Sequence, residues 1–161
     1  MQDPRHFGIT FYKESDFNSL VAQVNTQIYP NHEENLGLYL DMKEFVVPFS
    51  KALKGLQKTT LYMAQKGVGN PYEIGAAATD YLRQFGLVAM GYMWLLMLKV
   101  AFSKREKDDY YEHKIILARF FFERILPETL SRAITISSGS KTMMSLPDDG
   151  FNSNSQFSGV V

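Results

Sequence analysis

Two places in the sequence combine residue types that could do chemistry, and the first is a carboxylate–imidazole pair. Asp109 and His113 stand four residues apart, a spacing that brings side chains together on one face of a helix. A helical di-iron site needs Glu-x-x-His pairs on facing helices, and the sequence offers no second ligand set for His113. His6 and His32 fall in segments without helical periodicity. We therefore interpret the pair as a surface charge pair and predict no metal ligand.

The second place is "SSGSKTM", residues 137–143, which resembles a phosphate-binding loop. A true loop of this kind requires glycine immediately before Lys-Ser/Thr, after a strand. Ser140 takes the place of that glycine, and no strand pattern precedes it, so a helix-to-helix turn is favoured. The chain has no cysteine, which excludes disulfides, thiolate metal sites and a cysteine nucleophile. We predict no catalytic, cofactor-binding or metal-binding residue in this chain.

Composition and charge narrow the class of protein. The chain has 161 residues, and its 17 Lys and Arg balance its 17 Asp and Glu, without the basic excess that is typical of nucleic-acid binding. The 45% hydrophobic and 14% aromatic content is that of a packed globular domain. The first 15 residues contain no apolar stretch behind a basic head, so we expect no secretory signal and a cytoplasmic location.

Hydrophobic residues recur at helical spacing in four segments, and no segment of useful length alternates like a strand. The segments are 15–28, 34–66, 70–103 and a fourth that runs from about Asp108 to the "SSGS" turn. The pattern predicts an all-α, up-and-down bundle of about four helices, kinked at Pro48 and Pro127. The predicted organisation is an N-terminal extension (1–14), a helical bundle domain (15–146) and a flexible C-terminal tail (147–161).

The most apolar passage, "YLRQFGLVAMGYMWLLMLKVAF" (81–102), allows two interpretations. Between Arg83 and Lys99 lie 15 uncharged residues, while a helix that crosses a bilayer needs about 20. The favoured interpretation is a central core helix, apolar all round over 81–98 because it touches neighbours on most of its circumference. A membrane span is the alternative.

Two passages resemble a known family. They are "ATDYLRQFGLVAMGYMWLLMLKVA" (78–101) and "YYEHKIILARFFFERILPETLSRAITISSGSKTMMSLPDDGF" (110–151), and they cover about half of the chain. They are similar to the extra C-terminal domain of the larger bacterial acyl-CoA dehydrogenases, a subgroup that includes the methylmercaptopropionyl-CoA dehydrogenases. The matching residues are Ala78, Tyr81, Leu82, Phe85, Gly86, Val88, Gly91 and Trp94, then Ala118 to Pro127, and lastly Asp148 to Phe151.

The resemblance implies a structural and assembly module of an FAD-dependent acyl-CoA dehydrogenase that oxidises fatty acyl-CoA. In that family, the catalytic glutamate and the FAD contacts belong to domains ahead of this region. The resemblance therefore implies a chain that is inactive alone and binds no cofactor itself, FAD belonging to the parent enzyme. The implied partners are the remaining catalytic domains and further copies in a homo-oligomer, and we expect an exposed apolar docking face.

Two other functions stay open. An independent bundle could bind an acyl chain or another hydrophobic ligand between its third and fourth helices, where Phe120, Phe121 and Phe122 meet the methionines of residues 81–102. The chain could also attach to a membrane surface through an amphipathic face, which its balanced charge disfavours. Lipid that copurifies with the protein would favour the first alternative, and co-sedimentation with anionic liposomes would favour the second.

Overall fold

The computed structural model describes residues 36–147 and Gly150, and this part of the chain is helical, without a β-strand. It contains α1 (Leu36–Gly69), α2 (Pro71–Lys104), α3 (Asp109–Phe120) and α4 (Glu128–Ser137), with a π-helical turn (Phe121–Ile125) between α3 and α4. The all-α prediction is confirmed. The predicted count of about four helices is not matched exactly. The described residues form three helical rods, and the predicted fourth segment is one rod that is divided into α3, the π turn and α4. The predicted helix 15–28, the extension 1–14 and most of the tail 147–161 lie outside the described residues.

Local capping signals fix the helix boundaries. Asn70 caps α2 by accepting a hydrogen bond from the backbone N–H of Tyr72 on its side-chain oxygen (3.1 Å), and Pro71 takes the first helical position. Asp108 caps α3 in the same way, through the N–H of Tyr110 (2.8 Å). Gly139 has a φ of 72°, a left-handed conformation that glycine adopts freely, and α4 ends just before it.

Contacts between helices define an up-down-up arrangement of three helical rods. Asn70 alone separates α1 from α2, and the two helices pack antiparallel. Gly55 faces Gln84, and Phe45, earlier in α1, meets Phe102, later in α2. The third rod, formed by α3, the π turn and α4, runs antiparallel to α2. Near its middle Phe121 lies against Trp94 with ring centroids 6.2 Å apart and the rings tilted by 33°, and further along Glu128 pairs with Arg83.

Proline acts differently at the two sites where a kink is predicted. Pro48 lies inside α1, which continues through it as one helix. Near Pro127 the backbone changes, since the N–H of Leu126 bonds to the carbonyl of Phe121 five residues back (2.8 Å) and α4 begins at Glu128. A wider turn here relieves the clash that a proline ring makes with the carbonyl four residues before it.

Aromatic and aliphatic side chains from all three rods form one core. The Phe45 and Phe122 rings meet edge to face at 5.4 Å, and Phe121 meets Phe122 at the same distance. Leu95 of α2 is completely buried among them. Further buried members are Met42, Val46, Phe49, Ala52, Leu56, Val88, Leu98, Ala101, Ile115, Ala118 and Leu126.

The interpretation of residues 81–98 as buried on most sides is wrong. Leu82 is 72% exposed and Met93 is 54% exposed. In the described part of the chain, α1 and the third rod pack only on one side of α2. The other side of α2 is apolar and faces outward.

Candidate interaction surface

The outward side of α2 carries a continuous line of uncharged residues, which we call the outer seam. Its residues recur with alternating spacings of four and three: Gly75, Thr79, Leu82, Gly86, Ala89, Met93, Leu96, Val100 and Ser103. Leu96 is partly buried and the others are exposed. A spacing that alternates in this way has a period of 3.5 residues, the repeat with which one helix follows another in a coiled coil.

The buried side of α2 has the same repeat. Ala77, Gln84, Gly91 and Leu98 recur every seven residues and are all buried. Met93 follows Gly91 by two residues, or about 200° around the helix, so the outer seam lies opposite the core. A partner could therefore approach the seam without meeting α1 or the third rod.

Further apolar side chains widen the seam on both sides. Phe85 is 51% exposed, Met90 49% and Met97 41%. Exposed apolar patches of this extent are unusual on soluble monomers and typically mark interaction sites. Methionines are well suited to such a surface because their unbranched, polarisable side chains adapt to the shape of a partner.

A buried glutamine fixes the rotation of α2 and thereby the direction of the seam. Gln84 is completely buried. Its Oε1 accepts a hydrogen bond from the hydroxyl of Thr59 on α1 (2.8 Å), and its Nε2 donates to the carbonyl of Thr129 on α4 (3.4 Å). Because an unpaired buried amide costs free energy, this pairing favours one rotation of α2 between its two neighbours.

An ion-pair network fastens α2 to α4 beside the seam. Glu128 lies between Arg83 of α2 (3.0 Å) and Arg132 of its own helix (2.8 Å), and Arg132 also bonds to Asp80 (2.6 Å). The hydrogen bond from Arg83, followed by that from Arg132, lowers the pKa of Glu128 to about 2. The network thus keeps the Glu128 carboxylate ionised in acid solution in which an ordinary glutamate would be protonated.

The turn that resembles a phosphate loop is held by a carboxylate of the chain itself. Glu73 accepts hydrogen bonds from the backbone N–H of Ser140 (3.2 Å) and from its hydroxyl (2.7 Å). A Cβ on Gly139 would lie 2.8 Å from Glu73 Oε2, so the glycine is needed for this close approach. An incoming phosphate would meet a negative charge and occupied donors. The turn closes the end of the bundle, and its donors do not fit the pyrophosphate of a flavin nucleotide.

The remaining residues that the sequence analysis considered, Asp109, His113 and Phe120–Phe122, do not form a common site. Asp109 and His113 are both exposed on α3. Among the described residues, no group of three or more His, Asp or Glu side chains could hold a metal ion. The Phe120–Phe122 run divides, since Phe121 and Phe122 fill the core while Phe120 is 58% exposed.

Two open grooves lie away from the seam. One, of about 390 Å³, runs between α1 and α4 over Gly55, Ala133 and Ile134. The other, of about 550 Å³, lies where the start of α2 meets Ser140 and Met144. Neither groove is at the place predicted for a hydrophobic ligand, between α2 and the third rod, where the rings of Trp94 and Phe121 pack together.

Among the described residues, α2 is long and apolar enough to cross a membrane, judged by length and composition alone. It has 34 residues, and its most apolar window of 18 residues has a mean hydropathy of 1.8. Of that window, 39% is buried inside the protein. Such a share fits a helix with one face in a core and the opposite face available to a partner.

Sequence reasoning predicted an exposed apolar face but did not locate it on α2, although the signal was present. The alternation of four and three from Gly75 to Ser103 can be read directly from the sequence. It was hidden because the buried side of α2 is also apolar, and the two patterns together resemble a helix that is buried all round.

Comparison with known proteins gives one match. A family model described as acetyl-CoA dehydrogenase C-terminal like matches residues 20–147, a span that includes all four described α-helices. No curated protein and no solved structure matches the chain.

Proposed function

The chain belongs to the acetyl-CoA dehydrogenase C-terminal-like family, and we propose that it is the structural and assembly module of an FAD-dependent acyl-CoA dehydrogenase. The parent enzyme would be of the larger bacterial type that includes the methylmercaptopropionyl-CoA dehydrogenases, and would oxidise fatty acyl-CoA in the cytoplasm. Its flavin and its catalytic glutamate would be supplied by other domains.

One observation carries this proposal, the exposed outer seam of α2. A helix with an uncharged side over residues 75–103 gains stability when that side is covered. A module that holds subunits or domains together needs such a surface, whereas a catalyst needs converging reactive groups. The best candidates for reactive groups, Glu73 with Ser140 and the Arg83–Glu128–Arg132 network, are engaged in holding the helices to one another.

The polar contacts around α2 favour protein over lipid as the partner of the seam. Asp80 and Arg83 lie in the first half of α2, on the flank of the seam. Asp80 pairs with Arg132 of α4, and Arg83 pairs with Glu128 of the same helix. Moving these charges into hydrocarbon would be costly. A protein partner could cover the seam and leave this network in contact with water.

The first experiment tests whether the chain is inactive alone. The purified chain is mixed with FAD and acyl-CoA substrates of several chain lengths, and flavin absorbance and electron-acceptor reduction are followed. The proposal predicts neither bound flavin nor turnover. Flavin retained at one equivalent per chain after gel filtration, or turnover above that of free FAD, would refute it.

The second experiment tests the assembly role within a whole enzyme. DNA sequence upstream of the codon for Met1, or in the adjoining genes, should encode the flavin-binding domains. Removing the part that corresponds to residues 36–147 should leave flavin bound to those domains and lower the number of subunits in the assembly. An unchanged number of subunits would contradict the proposal.

A further inference from the structure

The outer seam has the features of one half of a symmetric helix pair. We propose that a second copy of this chain covers it, with the two α2 helices antiparallel about a two-fold axis that passes between Ala89 and Met93. This inference rests on the proposed assembly function for its purpose, and it names the partner that the seam accepts. It depends on the exposed residues of α2 and on their order along the helix.

At the centre of the seam, small residues face large ones when the second copy runs antiparallel. With residues 79–103 of both copies in register, Gly86 lies opposite Leu96 of the second copy, and Ala89 lies opposite Met93 of the second copy. Facing a large side chain with a small one lets two helices approach closely and fill the space between them. The hydroxyl residues Thr79 and Ser103 meet at the two ends, where the seam reaches solvent.

The flanking charges select the antiparallel direction. In a parallel pair, a residue on one flank of the seam lies beside the residue five positions later on the second helix. Lys99 of each copy would then lie beside Lys104 of the other copy. Like charges in such positions destabilise a helix pair. In the antiparallel pair Lys99 lies beside Phe85 of the second copy, and Arg83 lies beside Met97 of the second copy. No like charges then face each other.

The exposed area reaches the lower end of the range for stable protein interfaces. Leu82, Phe85, Met90, Met93, Met97 and Val100 are each between 41% and 72% exposed. At roughly 100 Å² of exposed side chain each, they supply on the order of 600 Å² per copy, against about 800 Å² per partner in a standard interface. The smaller seam residues and the helix flanks add to this area.

The absence of cysteine from the chain permits a sharp test of register and direction. Leu82→Cys and Val100→Cys are prepared as separate proteins, both at exposed positions where the fold tolerates change. In the proposed register residue 82 lies opposite residue 100 of the second copy, while the two copies of residue 82 lie about 27 Å apart. An equal mixture under mild oxidation should therefore give the mixed disulfide dimer, and each variant alone should give little, because a disulfide requires Cα atoms within about 7 Å.

Sedimentation of the unmodified chain over about 1–100 µM should show a species of twice the 18.4 kDa chain mass. Ala89→Glu, which places a charge beside the axis, should raise the dimer dissociation constant at least about tenfold. Val47→Glu is the matched control, because Val47 is 56% exposed on α1 and its substitution should leave dimerisation unchanged.

Three results would overturn the inference. They are a monomer throughout the concentration range, efficient disulfides within each single variant, which indicate a parallel pair, and a monomer that co-sediments with phosphatidylglycerol vesicles, which indicates a membrane partner. The flavin and turnover assay does not depend on dimerisation. A failure of the dimer is therefore distinguishable from a failure of the proposed function.

Discussion

Gly91 of α2 packs closely against Phe49 of α1 in the core, and its replacement by alanine tests the packing quantitatively. A Cβ built on Gly91 would lie 3.1 Å from Phe49 Cδ2 and 3.5 Å from Leu126 Cδ1. Both neighbours are 2% exposed, so the ring has little freedom to move away. Gly75→Ala in the same helix is the control, because its added Cβ would meet nothing within 4 Å.

The magnitudes follow from two opposing effects. Replacing a helical glycine by alanine stabilises a helix by about 1 kcal/mol, and both variants share this gain. Overpacking a filled core costs about 1–3 kcal/mol, and only Gly91→Ala incurs that cost. We therefore expect Gly75→Ala to raise the free energy of unfolding by about 1 kcal/mol and Gly91→Ala to leave it unchanged or lower it by up to about 2 kcal/mol.

Urea unfolding followed by far-ultraviolet circular dichroism measures the difference, at a concentration low enough to keep the chain monomeric. A second Gly91→Ala protein that also carries Phe49→Leu should show less than the summed losses of the two substitutions, since the smaller side chain makes room for the methyl group. Equal stabilisation by Gly91→Ala and Gly75→Ala would mean that Phe49 of α1 does not pack tightly against α2 at this point.

Three further predictions concern the polar contacts. Lowering the pH from 4.5 towards 2 should close the difference in thermal stability between wild type and Glu128→Gln. The ionised Glu128 contributes stability above its unfolded pKa of 4.5 and loses that contribution as the pH falls through its folded pKa of about 2. A constant difference in melting temperature would contradict the network. Gln84→Ala should cost about 2–4 kcal/mol in urea unfolding through the cavity it leaves. Gln84→Leu should cost less than about 1.5 kcal/mol, because the Thr59 hydroxyl also lies 2.9 Å from the carbonyl of Leu56, and equal losses would argue against this. Glu73→Ala should speed tryptic cleavage after Lys141 by freeing the turn that it clamps, whereas an unchanged rate would show that Glu73 does not hold it.

The helix boundaries could be predicted because their causes are local. Asn70, Pro71 and Asp108 each set a helix start through a contact within two residues or through their own backbone geometry. Gly139 ends α4 through its left-handed φ. Signals of this kind act through neighbours in sequence, so one sequence is sufficient to recognise them.

The side of α2 that faces outward could not be predicted in the same way. Leu95 and Met93 are both apolar, yet Leu95 is fully buried and Met93 is 54% exposed. The difference depends on which helices pack against α2 and on which side, and that arrangement is a property of the whole fold. The π turn has a local cause in Pro127, whereas the contacts of Phe121 with Trp94 and of Phe122 with Phe45 depend on the whole core.

If protein covers the outer seam, the methionines in the seam become protected from oxidation when the partner binds. Met93 lies in the seam at 54% exposure, Met143 lies off the seam at 67%, and Met42 is 2% exposed in the core. With limiting peroxide, peptide mass spectrometry reports the oxidation of each thioether separately. We expect Met93 to oxidise as fast as Met143 in dilute protein and to become protected as the protein concentration rises, while Met143 stays reactive and Met42 stays slow throughout. Oxidation of Met93 that keeps pace with Met143 at every concentration would contradict this expectation.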